Sequence, residues 1–168
     1  MDTASHVAIN AHLLSGRAWY RSAGVHQYIY QLLRHLGQAD ELLQYTVLLG
    51  KGTLPPEVCL PTCRSRWRTS RATVRIAWEQ LVQPWTLFRI GADLAHGPLL
   101  VTPMLAPCPT VITIHDLSFY RFPHLFRSAN RLYLKMMTRL SARRARRFIA
   151  VSAHTASESE RLLGIPQD

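Results

Sequence analysis

The chain predicts a Rossmann-like, three-layer α/β domain, with a mainly parallel sheet covered by helices on both faces. Two observations carry that expectation. Short apolar runs alternate with stretches of helical periodicity along the chain, and neighbouring parallel strands need such crossover connections. The stretch Thr110 to Ser118, TVITIHDLS, is a β-branched run that ends abruptly in His115-Asp116 before an aromatic, Pro-containing loop. A buried parallel strand of this kind delivers ionisable side chains to the carboxyl edge of the sheet, where open α/β folds bind their ligands.

The elements follow in order. His6 to Leu14 is apolar enough for a first strand, and Ser15 to Gly24 reads as a polar, Gly-containing loop. Val25, Ile29, Leu32, Leu33 and Leu36 then fall at helical spacing, stopped by Gly37. Tyr45 to Leu49 is a second strand. Lys51 to Ser70 is irregular, broken by Pro55, Pro56 and Pro61, and Ala72 to Ile76 reads as a short strand. Ala77 to Ile90 is helical, with Pro84 expected to bend or restart it because proline lacks an N–H and crowds the preceding turn. Ala92 to His96 and Thr110 to His115 are strands, Ser128 to Arg147 a long helix and Phe148 to Ser152 a final strand. Ala153 to Leu163 is a final helix, closed by Gly164 and Pro166.

At 168 residues and 48% hydrophobic, residues 1–168 are sized for one domain with a full core. The N-terminal MDTASHVAIN lacks a basic region followed by an apolar one, and the most apolar window, Leu99 to Ile114, contains Pro103, Pro107 and Pro109. Neither a signal peptide nor a membrane span is expected. Three cysteines do not suggest a disulfide framework, so a cytoplasmic location is expected. Cys59 and Cys63 flank a Pro-containing loop and Cys108 sits between prolines; no second close Cys/His pair completes a zinc site, and no metal is expected.

The net charge of +10 is concentrated in two segments. Arg64 to Arg89 holds six arginines, and Arg127 to Arg147 holds eight basic residues and no acid. In the second, Arg127, Arg131, Lys135, Arg139, Arg143 and Arg147 recur every four residues beside Leu132, Met136 and Leu140. Such a helix face is either simply solvated or attracted to anionic lipid headgroups, with Arg131, Lys135, Arg139 and Arg143 as the contacts. The run RSRWRTSR mixes arginines with Trp67, yet no RNA or DNA module accompanies it, and no nucleic-acid partner is expected.

With the predicted fold, the loop after the first strand, His96-Gly97, His115-Asp116 and Ser152 gather at the carboxyl edge of the sheet. Imidazole suits catalysis there because it can donate or accept a hydrogen bond near neutral pH, although a histidine at a strand end can also cap it by bonding a backbone carbonyl. Asp116 orients the imidazole or caps the loop. A glycine before a helix, here Gly24, allows backbone N–H groups to approach a phosphate, and Gly16 adds freedom to the same loop. Ser152 is placed to cap the last helix.

Several stretches together resemble the N-terminal domain of family 4 glycosyltransferases, which have the two-domain GT-B fold. They are AGVHQYIYQLLRHL after the first strand, WEQL at Trp78 to Leu81, GADLAHGP at Gly91 to Pro98, APCPTVITIHDLSFYRFPHLF at Ala106 to Phe126, and RRFIAVSAHTASESERLLGIP at Arg146 to Pro166. The resemblance implies the acceptor-side half of a retaining transferase that moves a sugar from a nucleotide-sugar donor to a glycan or lipid-linked acceptor, with no obligatory cofactor. It implies catalytic roles for His115 and Asp116 and a donor-facing loop at Gly16, Gly24 and His26, the last standing where a second glycine is frequent. Ser152 joins that donor-facing set, and His96, Gly97, Phe119 and Tyr120 would border the acceptor. The family's second half, which binds most of the donor, is expected to be absent from residues 1–168 and supplied by a separate partner domain. An uncovered cleft wall including Phe119, Tyr120 and Phe122 would favour a symmetric dimer. Two other readings stay open: a non-catalytic module that binds a glycan or lipid acceptor, and a basic protein peripheral to the inner membrane face.

Overall fold

A computed structural model describes residues 5–14, 24–39, 42–50, 52–69 and 71–165. Six parallel strands form one sheet in the order β3-β2-β1-β4-β5-β6: β1 His6–Asn10, β2 Gln44–Leu49, β3 Thr62–Arg64, β4 Leu94–Gly97, β5 Thr110–Ile114 and β6 Arg147–Ala150. The order reverses between β1 and β4, which pair directly through Val7 with Leu94 and Ile9 with His96. A reversal of this kind opens a crevice beyond the carboxyl ends of the two strands.

Helix α1, Val25–Ala39, connects β1 to β2. The connection from β3 to β4 runs through α2 Ala72–Ala77, a π-helical turn Trp78–Val82 and α3 Gln83–Arg89, and that from β5 to β6 through α4 Ser118–Arg121 and α5 Ser128–Arg144. The first crossover travels in the opposite direction across the sheet from the other two. Right-handed connections therefore put α1 on one face and α3 and α5 on the other. Packing agrees. Val7, Ile9, Val47 and Leu49 meet Ile29 and Leu33 of α1, whereas the intervening Ala8 and Leu48 meet Trp78 and Leu87. Ile112 and Ile114 pack with Phe119 and with Ala142 of α5. The last helix, α6 Ala153–Leu163, ends at Gly164 with φ of 69°, a left-handed stop suited to glycine.

Several elements differ from expectation. Ala72 to Ile76 is helix, not strand: the short β-branched run is continuous with the stretch that buries Trp78 and Leu87, and tertiary packing overrides its local preference. The strand of that region is instead Thr62–Arg64, which has no apolar run and is held by backbone bonds, Val47 N to Pro61 O at 2.8 Å and Ser65 N to Leu49 O at 2.7 Å. Helix α1 continues through Gly37 to Ala39. Pro84 lies at the start of α3, just after the helix widens into its π-helical turn, so its missing N–H falls where the α-helical bonding has already been interrupted. No helix among the described residues is long and apolar enough to cross a membrane.

Candidate active site at the carboxyl edge of the sheet

His115 follows the last residue of β5, and its carbonyl accepts a hydrogen bond from Thr155 Oγ1 at 3.2 Å. Its ring stands edge-on to Tyr28, centroid to centroid 4.9 Å. Nε2 lies 3.0 Å from the carbonyl oxygen of Pro98. Only a protonated nitrogen can bond a carbonyl, so the neutral ring carries its proton on Nε2 and leaves Nδ1 as an acceptor.

Asp116 caps the loop and is not bonded to the imidazole. Its Oδ1 accepts the Ser118 N–H at 2.9 Å and the Ser118 hydroxyl at 2.5 Å, closing the turn into α4. Ser152 caps α6, accepting from Thr155 N at 3.1 Å, and its hydroxyl lies 3.0 Å from that of Thr155. Ser152, Thr155 and His115 are thereby linked in sequence.

Gly24 has φ of 69° and would place no atom within 4 Å of a Cβ, so its backbone conformation, not crowding, demands glycine. Its carbonyl accepts from Tyr28 N at 3.0 Å, starting α1. His26 is half-buried in the first turn of that helix. Gly16 lies outside the described residues. One turn beyond Gly24, the Tyr28 hydroxyl lies 3.0 Å from Thr113 Oγ1, which lies 3.0 Å from His96 Nε2. Tyr28 therefore joins the helix start to both His115 and His96, a role the sequence reading did not assign to it.

His96 is 7% exposed, and burial holds its pKa down at about 4, so it is a neutral hydrogen-bonding ring. Gly97 is needed for close approach, since a Cβ there would stand 3.1 Å from the Val101 carbonyl oxygen. Phe119 is 2% exposed and belongs to the core of Ile112, Ile114 and Leu117. The expected cleft-wall position of Phe119 is corrected: the short helix α4 turns its ring inward, where it packs 4.9 Å from Tyr120 and 6.4 Å from Phe126. Tyr120 is half-buried beneath the Lys135 ammonium, 4.8 Å from its ring centre, and Phe122 is exposed.

A second polar group at the end of β1 was not singled out in the sequence. Asn10 Nδ2 lies 3.3 Å from Gln83 Oε1 and 3.5 Å from Glu79 Oε1, and its own Oδ1 accepts from His12 N at 3.1 Å. The His12 ring stacks on Trp78 with centroids 3.7 Å apart. Both of its buried nitrogens lack a partner among the described residues. Burial, then the Arg75 charge, lowers its pKa to about 4. Burial raises the Glu79 carboxyl to about 7, against the opposing effects of Arg75 and Asn10. Only Asn10 at the strand end hinted at this group, because its partners are 69 and 73 residues away.

The Glu79 environment gives a pH prediction. Its folded pKa lies above the unfolded value of 4.5, so the stability it contributes is fully present below about 4.5 and is lost as pH rises through about 7. Glu79→Gln, neutral throughout, should raise thermal stability at pH 8 by an amount on the order of 3 kcal/mol and leave it nearly unchanged at pH 4. Melts at the two pH values check this, and equal effects at both would refute it. The buried histidines act oppositely: His12 and His96 favour unfolding as pH falls from about 6.5 toward 4.

A family model described as Glycosyltransferase Family 4 matches residues 22–168. No curated protein matches the chain.

Proposed function

This chain belongs to glycosyltransferase family 4, and from that premise we propose that its sheet edge is the acceptor-side wall of a retaining transferase acting on a nucleotide-sugar and a glycan or lipid-linked acceptor. A role in glycosyl transfer follows from the family. The observation that supports the finer reading is the convergence of His115, the start of α1 at Gly24 and Tyr28, and the Ser152–Thr155 cap at one edge of the sheet. With Nε2 engaged by Pro98, His115 presents Nδ1 as an acceptor for a sugar hydroxyl. Ser152 and Gly24 stand at helix starts, where backbone N–H groups favour anions such as the donor's phosphates. His26 stands in the same first turn of α1. A donor-binding domain, on the same polypeptide or in trans, completes the enzyme in this reading, because transfer needs both substrates held in one geometry.

Acceptor binding without catalysis is the second reading, favoured by the fact that His115 already makes the backbone bond of a structural cap. Backbone NMR with a set of mono- and disaccharides tests the site common to both. Perturbed resonances are expected at residues 24–28, 96–98, 115–118 and 152–155. Perturbation confined to other surfaces, or none at any sugar concentration, would count against an acceptor wall here.

A further inference from the structure

The two basic segments, far apart in sequence, share one face of the sheet. Ala8 pairs with Ala95, and Ala95 with Thr110, so these residues and Ile112 and Ile114 point to the same side. That side is covered by the α2–α3 rod, through Trp78 and Leu87, and by α5, through Ala142. Both helices also grip one loop: the Gln80 side chain donates to Thr102 O and accepts from Met104 N, while Ser141 Oγ accepts from Thr102 N.

Each helix turns an apolar stripe outward from this layer. Leu81, Trp85 and Phe88, spaced four and three residues apart, are 71, 60 and 65% exposed; Leu132, Met136 and Leu140 are 68, 52 and 39% exposed. Arg71, Arg89, Arg139, Arg143 and Arg144 are exposed on the same helices or at their ends, while the only acid on them, Glu79, is buried. Beside α3, a cleft of about 280 Å³ is lined by Arg64, Arg66 and Arg89 together with Trp67 and Trp85. Of the four expected contacts, Arg131 and Lys135 are half-buried and engaged, Arg131 Nε with Phe119 O at 3.0 Å and Lys135 with the Tyr120 ring.

We propose that this face docks on an anionic lipid bilayer, with the arginine–tryptophan cleft receiving a lipid phosphate. Charge complementarity selects an anionic partner. The exposed aliphatic and indole stripes select a bilayer over a soluble polyanion, since they gain nothing from phosphates in water but insert at the headgroup boundary. Arginine forks bind phosphate in two-point geometry, which suits the cleft to the headgroup itself. The proposal stands apart from the transfer reading and can fail without it.

Sedimentation with phosphatidylcholine vesicles, with and without phosphatidylglycerol, tests it. The protein should pellet only with the anionic vesicles, and its tryptophan emission should shift to shorter wavelength on binding. Trp85→Ser with Phe88→Ser alters only exposed side chains and should reduce binding more than tenfold without changing the melting temperature. Arg66→Glu with Arg89→Glu should weaken it by at least as much, given a contribution of about fivefold per basic residue near the surface. Arg139→Glu with Arg143→Glu should weaken it too, because α5 covers the same face of the sheet and exposes both arginines. Unchanged binding in any of the three variants overturns the proposal. So does equally tight binding of a soluble RNA that ignores the Trp85/Phe88 change, or a dimer in sedimentation velocity that this change dissolves.

Discussion

Replacing Phe119 with alanine should cost about 3–5 kcal/mol of folding stability, the range for deleting a buried aromatic ring and leaving its cavity. The ring is packed among Ile112, Ile114 and Leu117 beneath α5, with Tyr120 and Phe126 at its edges, so little can collapse into the space without moving the sheet. The backbone carbonyl of the same residue accepts from Arg131, tying α4 to α5, and loss of the ring loosens that junction as well. Urea titration should show a lower midpoint with an unchanged slope. The competing reading, an aromatic that faces the acceptor, predicts a stable variant with weakened sugar binding. A stability loss below about 1 kcal/mol would revive it, since such values are typical of surface substitutions and not of a filled core.

Phe119 also marks where sequence stopped being informative. The alternation of strand and helix, the parallel sheet and the edge that collects His96, His115 and Ser152 were legible because each depends on local periodicity or on a residue at an element's end. The Ser152 cap and the Gly164 stop are of the same kind, each satisfied within one turn of helix. Whether Phe119 faces the core or the cleft depends on a four-residue helix after the strand, and an aromatic, Pro-containing stretch carries no periodicity that would fix its rotation. Thr62–Arg64 was missed for a related reason: an edge strand of three residues, held by its backbone, needs no hydrophobic pattern. Ala72–Ala77 went the other way, its β-branched residues being carried into a helix by the packing that follows.

The cluster around Asn10 shows a different limit. Its members come from the end of β1 and from the helical rod that connects β3 to β4, and each is unremarkable alone. Only the β1–β4 reversal brings Asn10, Glu79 and Gln83 together, and only burial turns Glu79 into a carboxyl that is neutral in weak acid. His12, whose ring nitrogens have no hydrogen-bond partner among the described residues, follows the end of β1 at the same edge of the sheet as His96 and His115. The end of β1 adjoins β4 at the reversal of strand order, so this polar group lies beside the crevice that opens there.

His115→Ala should lower sugar transfer by roughly 100-fold or more, within the range for losing a positioned proton-transfer or hydrogen-bonding group, when nucleotide release is followed in an enzyme assembled with a family 4 donor-binding half. Folding should be only modestly affected: the imidazole is half-buried, and what is lost is the bond to the Pro98 carbonyl and the edge contact with Tyr28, together about 1–2 kcal/mol. His115→Gln separates the two roles. A side-chain amide can still donate to a backbone carbonyl, so a purely structural cap would be rescued in stability and in rate. It lacks an imidazole lone pair at the Nδ1 position, so the proposed acceptor role would remain impaired while stability returned. Recovery of rate together with stability would make His115 a strand cap, and the chemistry would have to be sought at the end of β1, where His12 and Glu79 lie.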